Sequence, residues 1–319
     1  MSEPSVAVLG SLHMDLIAVA ERLPSHGESL LGERFSMQPG GKAGNQATQV
    51  ALCGIRSFLI SRVGEDTLGV ELQARLSAKG VDLSYVQIDG EVPTGASPIL
   101  IGRDGEYASI IVPGASARLN PEDVERTRSA IEASRALMLQ LEVSAAVSAK
   151  AAAIARQAGA MVILNASPLP ARPMVELSSE LVRHVDLLIA NRREAERLAG
   201  GAINDPDDAL RAGRSLKERL GCPAIVITLG EVGAVAIDRD TAFYSPSLAV
   251  EVVDTVGAGD AFAGTLVAQM IRGHRLVDAM RYAVVAGALA TTKSGAFDAL
   301  PTFDEIERAL GGESGVAPR

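Results

Sequence analysis

Ser5-Val6-Ala7-Val8-Leu9-Gly10 is a nearly continuous apolar run that stops at a glycine. A strand wetted on one side alternates apolar and polar residues, so a short unbroken run is the pattern of a strand buried on both faces, as in a parallel sheet covered by helices. Ser11-Leu12-His13-Met14-Asp15 follows directly. Ligands of open α/β sheets bind beyond the carboxyl ends of the strands, which makes Asp15 either a substrate contact or the cap of a turn. Working outward, further strands are predicted over 57–63, 83–88, 136–141, 161–165, 185–190 and 224–229. Helices are predicted over 66–78, 145–157, 174–182, 192–198 and 207–219, and Asn120-Pro121-Glu122-Asp123 and Asp205-Pro206 carry the cap-then-proline signature of helix starts. The last four strands run into Glu142, Asn165, Asn191 and Gly230, a set of polar or glycine ends at equivalent places.

Two pieces interrupt this alternation. Residues 16–38 read as irregular, broken by Pro24, Gly27 and Gly32, while 93–101 and 106–112 read as two strands around a tight Asp104-Gly105 hairpin. The expectation is one α/β domain over 1–319, a mostly parallel sheet flanked by helices, with a small antiparallel β lid interleaved from about 16–38 and 92–113. Its exposed edges favour a homodimer formed through the lid. A short hairpin over 233–237 and 242–244 precedes two Ala- and Gly-rich helices at about 261–272 and 276–292. Thr302-Phe303-Asp304-Glu305 reads as a capping box, and 311–319 as a frayed tail.

The 319 residues, 47% of them hydrophobic, suffice for a large core, and a net charge of −9 argues against a nucleic-acid or anionic-membrane surface. No leading charged-then-apolar segment and no spanning apolar run is present, so a cytoplasmic location is expected. Cys53 and Cys222 stand alone in apolar surroundings, without metal-ligand spacing, and read as buried small residues.

Two stretches carry chemistry. In Asp254-Thr255-Val256-Gly257-Ala258-Gly259-Asp260, glycines crowd a helix start, where unpaired N–H groups and a partial positive charge receive anions such as phosphate. A carboxylate is a poor phosphate ligand, so Asp260 is read as handling the proton of whatever attacks that phosphate, or alternatively as capping a turn. Gln38-Pro39-Gly40-Gly41-Lys42-Ala43-Gly44-Asn45-Gln46-Ala47 sets a Gly-Gly turn before a second helix start, with Lys42 and Asn45 one turn apart. Neither stretch is a Walker loop.

Together these stretches resemble the two signatures of the ribokinase-like carbohydrate kinases, the phosphofructokinase-B type family, and Asn191-Arg192-Arg193-Glu194 is similar to the family's Asn-x-x-Glu motif. The resemblance covers about residues 5–310 and is greatest to ribokinases. It implies that Asp260 is the catalytic base, that the N–H groups of Gly257, Ala258 and Gly259 form an anion hole, and that His13, Asp15, Gly41, Lys42, Asn45, Glu142 and Asp260 meet the sugar. It further implies that Asn191 and Glu194 organise Mg2+, partly through water, and that Asn191, Thr228, Gly230, Gly233, Gly259 and Val284 meet ATP. Asp254, with the carbonyls of Val256, Ala290, Lys293 and Gly295, resembles the family's site for a monovalent cation such as K+.

Two departures stand out. His13 replaces the asparagine usual in ribokinases and offers different donors and acceptors, and Ala43-Gly44 exchanges the usual order. The implied activity is transfer of a phosphoryl group from ATP to the hydroxymethyl group of a small sugar, a pentose first. Three alternatives are weighed against it: a nucleoside kinase, disfavoured by 3% aromatic residues; a non-catalytic sugar-binding regulator, disfavoured by the intact base and glycines; and a dehydrogenase, which would need Gly-x-Gly-x-x-Gly after the first strand.

Overall fold

The computed structural model describes residues 3–169, 175–238 and 241–313. In chain order the strands and helices are β1 (Ser5–Leu9), β2 (His13–Ala20), β3 (Arg34–Gly40), α1 (Lys42–Leu52), β4 (Arg56–Gly64), α2 (Thr67–Ala78), β5 (Val81–Asp89), β6 (Thr94–Gly102), β7 (Tyr107–Ser109), β8 (Val112–Gly114), α3 (Pro121–Arg126), α4 (Arg128–Ala133) and β9 (Ala136–Leu139). They continue as α5 (Ala145–Gln157), β10 (Met161–Asn165), α6 (Ser179–Val182), β11 (Leu187–Asn191), α7 (Arg192–Ala199), α8 (Pro206–Leu220), β12 (Ala224–Thr228), β13 (Gly233–Asp238), β14 (Thr241–Pro246), α9 (Ala258–Ile271), α10 (Leu276–Ala290) and α11 (Phe303–Glu313).

Among the described residues the main sheet has nine strands in the order β14-β13-β12-β11-β10-β9-β1-β4-β5, parallel throughout except for β13 and β14. β1 is enclosed as its composition requires: Val6 and Val8 enter the core that contains α1, α9 and α10, while Ala7 and Leu9 enter the core that contains α5 and α7. All four are fully buried, and each of the larger side chains contributes about 1.5–3 kcal/mol. After β1 the chain builds outward through β4 and β5, then returns to build β9 to β12 on the other side. That reversal opens a crevice at the carboxyl ends of β1 and β9.

The second sheet, in the order β3-β2-β6-β7 with β8 also on β6, corrects three expectations. Residues 16–38 are irregular only over 21–33: β2 and β3 flank that loop and pair antiparallel from His13↔Gly40 to Val19↔Arg34. Nor is this sheet purely antiparallel, because β2 pairs with β6 in parallel. The strand predicted over 106–112 is broken into β7 and β8 at Ile110 and Ile111. Elsewhere, the helix expected over 174–182 is seen only as α6, with Met174 outside the described residues. Residues 311–313 extend α11 rather than fraying, and 314–319 lie outside the described residues. The Thr302–Glu305 capping box is present, with Glu305 accepting from the Thr302 N–H at 2.8 Å.

Candidate active site

The crevice is closed at its base by one carboxylate. Glu142 Oε2 accepts from the Ser11 hydroxyl and, at 2.9 Å, from the backbone N–H of Lys42, the first residue of α1. It therefore caps α1 from beyond β9, because Gly41 has no side chain with which to do so. Gly41 itself has φ +93°, and a Cβ there would lie 2.6 Å from the Ser11 carbonyl oxygen. Burial by itself would lower the Lys42 ammonium, but the carboxylates of Asp260, Glu142 and Glu194 outweigh it and hold its pKa above the ordinary lysine value.

Asp260 is the third residue of α9, whose N-cap is Gly257, so the carboxylate is not itself the cap. α9 lies so close on α1 that a Cβ on Gly264 would come within 2.6 Å of Gln49 Cβ. This approach brings Asn45 and Gln46 onto the Asp260 carboxylate: Asn45 Nδ2 donates to Oδ2 at 3.0 Å, and Gln46 Nε2 donates to Oδ1 at 2.9 Å. Gln46 is in turn held by Gln140, whose Nε2 donates to Gln46 Oε1 at 2.7 Å. Asp260 is 6% exposed, and burial pushes its pKa up against the opposing pull of Lys42 and the two amide donors. Asn45 Oδ1 is buried without a partner among the described residues, an acceptor left for a ligand hydroxyl.

The N-terminus of α9 offers donors. Ala258 N–H makes only a long 3.4 Å contact with the Thr255 carbonyl, and a Cβ on Gly259 would meet no atom within 4 Å. Asp254 joins the two loops flanking this end, accepting from Val256 N–H at 3.0 Å and from Gly295 N–H at 2.9 Å. The loop holding Val256 and the one holding Lys293 and Gly295, just past Ala290 at the end of α10, are thus tied together.

His13 and Asp15 lie on one face of β2, with His13 Nε2 3.3 Å from Asp15 Oδ1. The neighbours of His13 on both sides are glycines. Gly40 and Gly95 are the register partners of His13, and a Cβ on Gly40 would strike the Asp15 carboxylate at 2.6 Å. The pair is thereby placed beside the Gly40-Gly41 turn that leads into α1.

On the other flank Asn191 and Thr228 are register partners at the carboxyl ends of β11 and β12. Asn191 and Glu194 form a capping box on α7, in which Asn191 Oδ1 accepts from Glu194 N–H at 2.9 Å and Glu194 Oε2 accepts from Asn191 N–H at 2.8 Å. Their first role is structural, although Glu194 also reaches the field of Lys42. Among the described residues no three His, Cys, Asp or Glu side chains cluster to hold a metal. The donor set suits an ion that arrives carrying waters and phosphate, not one caged by protein. Gly230 and Gly233 shape the turn closed by Leu229 N–H to the Gly233 carbonyl at 2.7 Å, and Val284 is packed in the core. Gln46 and Gln140 carry no role in the sequence reading. Their signal was weak: two uncharged side chains 94 residues apart that matter only through contact.

Residues 3–303 match the family described as pfkB family carbohydrate kinase. The ribokinase of Mus musculus is 34% identical over 264 residues, covering 82% of this chain and 80% of its own. The deoxyribokinase of Salmonella typhi is 30% identical over 305 residues, covering 96% of this chain and 98% of its own. Among solved structures, that of Arabidopsis thaliana ribokinase complexed with ribose and ATP superposes with a TM-score of 0.88 at 27% identity, covering 97% of this chain and 99% of its own. With a buried carboxylate at the head of α9, an amide cradle from α1 and this match across nearly the whole sequence, the chain belongs to the pfkB family of carbohydrate kinases and is a ribokinase-like sugar kinase.

Proposed function

We propose that the chain is an ATP-dependent kinase that phosphorylates the terminal hydroxymethyl group of a small sugar, most plainly a pentose such as ribose. The observation that carries this is Asp260, a buried carboxylate held by two amide donors in the first turn of a helix that starts at a glycine. The sugar oxygen attacks the γ-phosphorus of ATP, the bond to ADP breaks, and the hydroxyl proton passes to Asp260. The N–H groups of Gly257, Ala258 and Gly259 meet the charge on the transferring phosphoryl group. Burial strengthens Asp260 as a base by raising its pKa. His13, Asp15, Gly41, Lys42 and Asn45 read the sugar, while Glu142 fixes the helix end from which two of them project. The ribose and deoxyribose named by the relatives support a pentose.

Asn191, Thr228, Gly230, Gly233, Gly259 and Val284 form the nucleotide side. Glu194 and Asn191 would hold Mg2+ partly through water, and that ion supplies neutralisation of phosphate charge. Glu194→Ala should raise the magnesium concentration for half-maximal activity several-fold and cost about 1 kcal/mol of stability through the lost capping box. An unchanged magnesium titration would remove Glu194 from this role. K+ would sit at Asp254 with the carbonyls of Val256, Ala290, Lys293 and Gly295, where the tied loops offer one charge and several oxygens.

ADP release measured over pentoses, hexoses and nucleosides, with and without potassium, tests the reading. Turnover with a pentose is expected. Turnover with nucleosides alone would favour a nucleoside kinase, and sugar binding without turnover a regulator. His13→Asn should change the ratio of kcat/KM between ribose and 2-deoxyribose by about tenfold, the worth of one hydrogen bond. An unchanged ratio would place discrimination elsewhere.

The second sheet serves as a lid and as the surface of a homodimer. Phe35, Leu100 and Ile110 are 65%, 39% and 70% exposed on one side of it, an apolar face that a partner copy would cover. Ile110→Asp should convert the dimer to a monomer in sedimentation velocity. A cytoplasmic location accords with two buried, unpaired cysteines. Among the described residues no helix is long and apolar enough to cross a membrane.

A further inference from the structure

We infer that Gln140 is a positioning residue for this reaction: through Gln46 it fixes which end of an amide faces the Asp260 carboxylate and so keeps the base aimed. The inference rests on the reading of Asp260 as the base.

Gln140 is 1% exposed and Gln46 is fully buried, so water does not choose their orientation. An ionised carboxylate only accepts hydrogen bonds, whereas an amide has one donor end and one acceptor end. Asp260 Oδ1 therefore requires Gln46 Nε2, which turns Gln46 Oε1 away, and that oxygen requires a donor, supplied by Gln140 Nε2 at 2.7 Å. The polarity runs one way along three side chains.

Its cost is visible at the far end. Gln140 Oε1 is buried without a partner among the described residues and is pressed against Gly10, where an added Cβ would collide with it. A buried carbonyl in that condition would normally turn over to find a donor. Turning this one over would set two carbonyl oxygens against each other and release Gln46. Gly10, at the end of the strand with which the chain begins, leaves the space the amide needs. The charged groups facing Asp260 are Lys42 on α1 and Glu142 beyond β9, and a change at residue 140 alters neither charge.

Gln140→Met keeps the volume and removes the donor. Gln140→Glu keeps the shape and reverses the polarity, accepting from Gln46 and turning its oxygen toward Asp260, but it also adds a negative charge that would itself raise Asp260, so the pH limb is decided by Gln140→Met. Both should lower kcat about 10- to 100-fold, the expected cost of a misaimed group, with KM for the sugar within about twofold. A lost donor raises a carboxylate's pKa, and the base works only when ionised, so the acid limb of kcat should move up by about one pH unit. A role in packing alone would leave that limb in place. The inference is overturned if folded Gln140→Met keeps parental kcat and limb, or loses kcat with the limb unmoved. If Gln140→Met does not fold, Gln140→Asn, whose amide stops one methylene short, decides by the same two readouts. Asp260→Asn separates the layers: turnover that survives it overturns the reading of the base, whereas its loss beside parental Gln140 variants overturns only the inference.

Discussion

The Asp260→Asn protein should turn over about 10²- to 10⁴-fold more slowly than the parent at neutral pH, and it should melt no lower. The two outcomes have one cause. Burial raises the carboxyl's pKa above its unfolded value, so the folded chain holds that proton more tightly. Stability from this source is present below the unfolded value and is lost as the pH rises through the folded one. At neutral pH the ionised carboxylate is therefore a liability to the fold, which asparagine removes. KM for the sugar should stay near the parental value, and the acid limb of the kcat profile should vanish. A variant that keeps parental turnover would take Asp260 out of the chemistry, and one that melts far lower would show that its charge holds the fold together.

The two glycines of the proposed anion hole should part company when each is changed to alanine. Gly259 lies in the first turn of α9, and a Cβ there meets nothing within 4 Å. Alanine gains up to about 1 kcal/mol in a helix over glycine, so Gly259→Ala should fold at least as well as the parent. Its methyl group would stand where the phosphoryl group must lie, and kcat should fall about 10²- to 10³-fold, the usual loss when such donors are compromised. Gly257 has φ +81°, and a Cβ there would lie 2.7 Å from Ala296 Cα. Gly257→Ala should lose activity and also about 2 kcal/mol or more of stability, from a left-handed alanine plus the collision. A parental kcat in Gly259→Ala would remove that N–H from the anion site.

How legible each part was in the sequence follows from the distance over which its cause acts. β1 is announced by its own residues, since a strand buried on both faces has no other composition available. The capping boxes of α7 and α11 are likewise local, their partners three residues apart in each. β2 and β3 were hidden because half of each faces water or the site: His13, Asp15 and Gln38 are polar, and Pro39 sits within β3. The parallel pairing of β2 with β6 joins residues about 80 apart and leaves no trace in either strand. At the site, Asp260 and its glycines were readable from helix-end chemistry, whereas Gln46 and Gln140 acquire meaning only once α1, β9 and α9 meet. Asn191 and Glu194 also cap α7, a use that follows from their three-residue spacing at a helix start.

The separation between Asp260 and its donors also sets a timetable. Asn45 and Asp260 are 215 residues apart. At about 5–20 residues per second, a ribosome delivers the second roughly 10–40 s after the first. For that interval the nascent chain carries the amides of α1, and over its later half the polar end of β9, without the carboxylate that the amides contact in the complete fold. A chain released early, before α9, would lack both the base and the helix that covers α1. If Asp260 is the base, as proposed above, catalysis waits for the synthesis of α9, and a copy that stops before it has no means of moving the hydroxyl proton at this site.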